Sequence, residues 1–107
     1  MAYGEAIAAL ADPTRRTVFE RLRSGPQPVV ELACGLNVSR PAVSQHLRVL
    51  KDAGLVRDRK EGTRHYYSVD GDALAELREY FESFWDDALA AFKEAAEKGE
   101  TDESADD

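Results

Sequence analysis

Between Asn37 and Val56 the chain reads NVSRPAVSQHLRVLKDAGLV, and its polar side chains are of the kinds that meet phosphates and base edges. Gln45 carries an amide that can pair twice with adenine, and Arg48 a guanidinium that can do the same with guanine. Ser44 adds a hydroxyl, whereas Arg40 suits a phosphate or a base equally well. Ser39 is a helix-cap residue, and the backbone donors of the turn that follows it suit an anion. Further on, Arg59, Lys60, Thr63 and Arg64 surround Gly62 and are expected on phosphates or in a minor groove, where they position more than they specify. From Arg40 to Arg64 seven Lys or Arg stand against three Asp or Glu.

The 107-residue chain nevertheless has a formal net charge of -7. That acidity is confined: through Val69 there are 11 Lys and Arg against 7 Asp and Glu, and from Asp70 onward 3 against 14. A phosphate surface responds mainly to charges within a Debye length, roughly 8 Å at physiological salt, so the local patch decides. The single cysteine, Cys34, excludes an internal disulfide and suits a reducing compartment. With no leader-like amino terminus and no apolar run near the roughly 20 residues of a membrane span, the chain reads as cytoplasmic with no membrane partner.

The elements that must carry these side chains follow from periodicity and punctuation. AYGEAIAALAD is an alanine-rich helix, and Asp12-Pro13 caps and starts a second one with Val18, Phe19 and Leu22 on its apolar face. After the turn-rich SGPQP, a third helix starts near Pro28 and runs through VVELACGL, with Val29, Leu32, Ala33 and Leu36 at helical spacing. Asn37 then suits a left-handed C-terminal position, and a join of three or so residues leads to a fourth helix capped by Ser39. Val43, Leu47 and Leu50 form its apolar stripe, and Arg40, Ser44, Gln45 and Arg48 fall off it. Beyond Gly54, LVRDRK and RHYYSV form a hairpin anchored by Leu55, Tyr67 and Val69. From Asp70 one long helix carries a band of Leu74, Leu77, Phe81, Phe84, Trp85, Ala88, Leu89 and Phe92. The fold class is mainly α with a small β-hairpin: residues 1–97 form the domain, and residues 98–107 an acidic, disordered tail.

LADPTRR, ELACGLNVSRPAVSQHLRVLKDAGLV and RKEGTRHYYSVD resemble, in order and spacing, the winged helix-turn-helix of the ArsR family of bacterial transcriptional repressors. The similarity covers Ala6 to Tyr80. It implies a homodimer on a two-fold symmetric operator in double-stranded DNA, repressing transcription until an effector arrives. It also sets Pro41 and His46 on or beside the DNA-facing helix, though each has a structural job as well, as helix starter and as partly buried packing residue. Many relatives bind metal through cysteines two apart in the third helix, or through aspartate and histidine on the last. Here Ala33 and Gly35 occupy the cysteine positions, with Cys34 between them, and the last helix has neither histidine nor cysteine. No metal or other cofactor is therefore expected, Cys34 is read as a small packing residue, and the effector stays unknown.

The aromatic band of the last helix is larger than a domain this small readily hides. A subunit interface through Leu77, Phe81, Phe84, Trp85, Ala88, Leu89 and Phe92 accounts for it, and the resemblance implies the same, with terminal helices, helped by the first helix, pairing across a two-fold axis. No glycine-rich nucleotide loop, no metal-protease motif and no nucleophile with its base is present, so an enzyme is not expected; Ser44 and His46, two apart on a helix, do not face each other. The competing reading is a winged-helix module whose acidic tail and aromatic helix bind another protein. RNA ranks below that, because no exposed sheet of stacking aromatics is indicated. Arg15 and Arg16 stay ambiguous between phosphate contact and ordinary surface solvation.

Overall fold

The computed structural model describes residues 3–102, with side chains as far as Gly99. Two compact units are present, one ending at Ala75 and one beginning at Glu76.

In the first unit, helix α1 (Tyr3–Ala9) buries Ala6 and Ala9. Helix α2 (Pro13–Glu20) starts as its sequence requires: the Asp12 carboxylate accepts from the Arg15 N–H at 2.9 Å and Pro13 occupies the first helical turn. Arg15 Nε donates to Ala9 O at 2.6 Å and an Arg16 guanidinium nitrogen to Leu10 O at 2.9 Å. Both arginines thus satisfy carbonyls at the end of α1, a structural task that sequence alone left open. A 3₁₀ turn (Arg21–Ser24) continues α2 and buries Leu22.

The next stretch departs from expectation. Gln27–Pro28 form a short strand, β1, and helix α3 is only Val29–Leu32. The chain leaves α3 through a turn in which Gly35 has φ 76°, and no residue other than glycine has positive φ among the described residues. The left-handed position therefore falls on Gly35 and not on Asn37, because only glycine avoids the Cβ clash there. The join to the next helix is longer than expected, residues 33–39. Arg21 compensates: one of its guanidinium nitrogens donates to Leu32 O at 3.2 Å and also to Cys34 O, filling the open end of α3. Cys34 is exposed, so it is not a packing residue.

Helix α4 (Arg40–Asp52) buries Val43, Leu47 and Leu50, the stripe its periodicity predicts. It ends in a complete glycine cap. Gly54, at φ 86°, donates to Lys51 O at 2.9 Å, and Leu55 N to Leu50 O at 3.0 Å, with the Leu55 side chain fully buried. Strands β2 (Val56–Glu61) and β3 (Arg64–Val69) pair antiparallel, Val56 opposite Val69 and Glu61 opposite Arg64. Gly62, at φ 64°, opens their two-residue loop, as such a tight connection demands.

β1 adds to the other edge of β3, Gln27 opposite Tyr67 and Pro28 opposite Tyr66, making a three-stranded sheet of order β1-β3-β2 where a hairpin was expected. Pro28 lacks an N–H, which an edge strand tolerates. Val56 proves to be core, whereas Tyr67 and Val69 are only half-buried.

Helix α5 (Gly71–Asp102) is capped by Asp70, whose Oδ1 accepts from the N–H groups of Asp72 and Ala73 at 3.0 and 3.1 Å. Residues 98–102, expected in the disordered tail, continue the helix, since no proline lies between Gly71 and Asp102 and Gly99 is a tolerated interruption; residues 103–107 lie outside the described residues.

Candidate nucleic-acid interface

The N-terminus of α4 is built from two residues. Ser39 has extended backbone angles (φ -75°, ψ 161°), and its Oγ accepts from the Ala42 N–H at 3.3 Å while its carbonyl takes Val43 N at 3.0 Å. Pro41 has no N–H to offer. The cap and the proline together use up most of the first turn's donors, so anion affinity here falls to the Arg40 N–H and to side chains. Arg40, Pro41, Ser44, Gln45 and Arg48 are all exposed, and His46 is half-buried. One face of α4 is thus committed to the core and the other carries Arg40, Ser44, Gln45 and Arg48, the residues of this helix singled out for base or phosphate contact.

Sheet alternation divides the basic hairpin. Cross-strand partners share a face, so Val56, Asp58 and Lys60 lie with His65, Tyr67 and Val69, while Arg57, Arg59 and Glu61 lie with Arg64, Tyr66 and Ser68. Lys60 is thereby separated from Arg59 and Arg64. Arg59 is engaged in its own neighbourhood: Nε lies 3.1 Å from a Glu61 carboxylate oxygen and the guanidinium sits 5.8 Å from the Tyr66 ring centre. Thr63 and Arg64 are exposed beside the Gly62 turn.

Lys51 and Asp58, which sequence reasoning passed over, join the two parts together with His65. The Asp58 carboxylate of β2 lies 2.7 Å from Lys51 Nζ near the end of α4 and 2.5 Å from His65 Nε2 of β3. His65 in turn stacks at 4.6 Å on Tyr67. The Lys51 ammonium, and then the hydrogen bond to His65, hold Asp58 below the ordinary carboxylate range, and Asp58 raises Lys51. Burial, and after it the Asp58 charge, raises the Tyr67 phenol. The signal available in sequence was a lone carboxylate at an inward position of a basic strand. At the base of the hairpin, Asp70 N donates to Leu55 O at 2.9 Å and Arg57 pairs with Asp70 at 3.2 Å.

In the second unit Leu77 is buried, but Phe81, Phe84, Trp85, Leu89 and Phe92 are between 49% and 73% exposed. Trp85, Ala88, Leu89 and Phe92 line an apolar hollow of about 330 Å³ on the helix. Tyr80 and Phe84 meet edge to face at 5.1 Å. Among the described residues, no three His, Cys, Asp or Glu side chains are grouped to hold a metal ion, and no helix is long and apolar enough to cross a membrane.

A family model described as a helix-turn-helix domain matches residues 10–59, from just past α1 into β2. The HTH-type transcriptional regulator Rv2034 of Mycobacterium tuberculosis is 56% identical over 87 residues, 81% of each chain. The transcriptional repressor SdpR of Bacillus subtilis is 36% identical over 66 residues, 62% of this chain and 73% of that one. Among solved structures, the homodimeric winged helix-turn-helix DNA-binding domain of Mb0332 from Mycobacterium bovis, described as a possible ArsR-family regulator, superposes with TM-score 0.64 at 31% identity, over 81% of both chains. A short helix pair with a polar-faced second helix, a glycine-turned wing and these relatives lead to one assignment: the chain belongs to the ArsR family of winged helix-turn-helix DNA-binding transcriptional regulators.

Proposed function

We propose that the chain is a cytoplasmic, homodimeric repressor that reads an inverted-repeat operator with α4 in the major groove. The observation that carries this reading is the division of α4: Val43, Leu47 and Leu50 are fully buried while Arg40, Ser44, Gln45 and Arg48 are exposed on the other side of a Ser39 cap. Gln45, Arg48 and Ser44 read base edges, with Arg40, Ser39, Pro41 and His46 at or beside the backbone. Thr63 and Arg64 at the wing tip, with Arg59 and Lys60 behind them on opposite faces, meet phosphates or the minor groove.

The dimer forms through α5. Phe81, Phe84, Trp85, Ala88, Leu89 and Phe92 offer an apolar face of interface composition, continued by Leu77, and the hollow about Ala88 can take a side chain from a second copy. Mb0332, homodimeric by its description, supports the same assembly, and SdpR, a repressor, supports the direction of regulation. Residues 1–97 then form one functional domain. Two reading helices about 34 Å apart fit half-sites one helical turn apart.

Selection of bound duplexes from a random-sequence pool tests the reading. The expected result is an inverted repeat, bound with a steep loss of affinity as salt rises. Gln45→Ala and Arg48→Ala change the selected sequence, whereas Lys60→Ala and Arg64→Ala weaken all duplexes alike. A pool that yields no preferred sequence refutes the operator reading.

A further inference from the structure

We propose that Asp58 is a positioning residue for DNA recognition, its carboxylate clipping the wing to the reading helix so that both meet one duplex in register. The role rests on the proposed assignment of α4 and the hairpin to the DNA surface, and it adds a residue that itself touches no DNA. Asp58 binds outward to both sides: Lys51 Nζ on α4 at 2.7 Å and His65 Nε2 on β3 at 2.5 Å. Lys60 shares that sheet face opposite His65 and adds positive charge to the same neighbourhood.

The need for a clip follows from leverage. The hairpin meets the rest of the unit at its base, through buried Leu55 and Val56, and along the β3 edge, where Gln27 and Pro28 of β1 pair with Tyr67 and Tyr66. β2 runs six residues from that base to the turn, about 20 Å at roughly 3.3 Å per residue. β1 steadies only the β3 edge, as far as Tyr66; a swing of about 10° about that last pair, roughly 10 Å from the turn, would still displace the tip by about 1.7 Å, more than half the length of a hydrogen bond. Asp58 holds β2 to α4 two residues beyond Val56, where it resists that swing. A carboxylate serves because its two oxygens can meet the Lys51 ammonium on one element and the His65 imidazole on the other at once, and its place is partly shielded, with 21% of the side chain exposed.

The test is a double-mutant cycle on the full chain, using a duplex selected by the wild-type protein from a random-sequence pool. Arg64→Ala and Gln45→Ala are each measured in the wild-type and Asp58→Ala backgrounds. The expected result is that the loss caused by Arg64→Ala shrinks at least about twofold when Asp58 is absent, while the loss caused by Gln45→Ala keeps its size. Asp58→Asn, of equal volume and still able to accept one bond, shows the same coupling reduced, and it carries the comparison if circular dichroism finds the alanine variant unfolded. Losses that multiply independently overturn the proposal alone, and so does an Arg64→Ala variant that loses nothing. A wild-type chain that prefers no duplex overturns the DNA reading and the proposal together.

Discussion

Ser39 performs two separable tasks, and two substitutions pull them apart. Its hydroxyl oxygen caps α4 by accepting from Ala42 N, and its own proton is available to a phosphate. Ser39→Ala loses both. The cap bond is exposed and long at 3.3 Å, so the cost belongs in the lower part of the usual capping range, about 0.5–1 kcal/mol. For a domain of this size that lowers Tm by about 2–8 °C, measured at fixed protein concentration because a dimer's Tm depends on it. Ser39→Asp restores the cap and favours the helix dipole, so its Tm should stay close to wild type. At the DNA, however, the new carboxylate about 4 Å from a phosphate costs about 1 kcal/mol in water-like dielectric. Across two protomers that is about 2 kcal/mol, on the order of thirtyfold in Kd at low salt, shrinking as salt is added. Thermal melts and fluorescence anisotropy on a selected duplex read the two effects independently. An aspartate variant that binds as tightly as wild type would show that the start of α4 does not approach a phosphate, and the reading-helix assignment would fail.

Other outcomes follow from the same geometry. Gly54→Ala meets no atom within 4 Å yet must hold φ 86°, so it should cost about 1–2 kcal/mol in urea unfolding, whereas Gly71→Ala, at ordinary φ on α5, should be neutral or stabilising; equal effects would refute the left-handed cap. Phe84→Ala with Trp85→Ala should give a monomer in sedimentation and a large loss of operator affinity, and a surviving dimer would move the interface elsewhere. Asp12, Asp58 and Asp70 are each held below the ordinary carboxylate range, so the unfolded chain takes up protons first as pH falls. Their contribution is full above about pH 4–5 and is lost as pH drops through the folded values. Asp58→Asn should therefore be less stable than wild type at neutral pH and converge with it in acid; a constant gap would refute the Asp58 pairing.

Much of this molecule is legible in one dimension because its signals are local. Asp12-Pro13 and Ser39 cap helices wherever the rest of the chain lies, since a cap involves three or four consecutive residues. Val43, Leu47 and Leu50 are buried as their spacing predicts, and the loop at Gly62 needs only its own backbone. Where local signals compete, sequence reading fails. The apolar spacing of Val29, Leu32, Ala33 and Leu36 suggests a helix twice as long as α3, but Gly35 turns the chain out of it and Arg21 fills the opened end from eleven residues away. β1 is two residues in a proline-containing turn, too short for alternation to register.

The polar face of α4, the basic wing, the acidic excess after Asp70 and the aromatic band of α5 are properties of residue order alone, because periodicity and charge are written along the chain. Tertiary structure decided which arginines are tied to backbone, that Lys60 lies across the sheet from Arg59 and Arg64, and that Asp58 joins Lys51 to His65. Each depends on how separate elements meet: α2 against the end of α1 for the arginines, strand pairing for Lys60 and for Asp58 with His65, and the packing of α4 against β2 for Asp58 with Lys51.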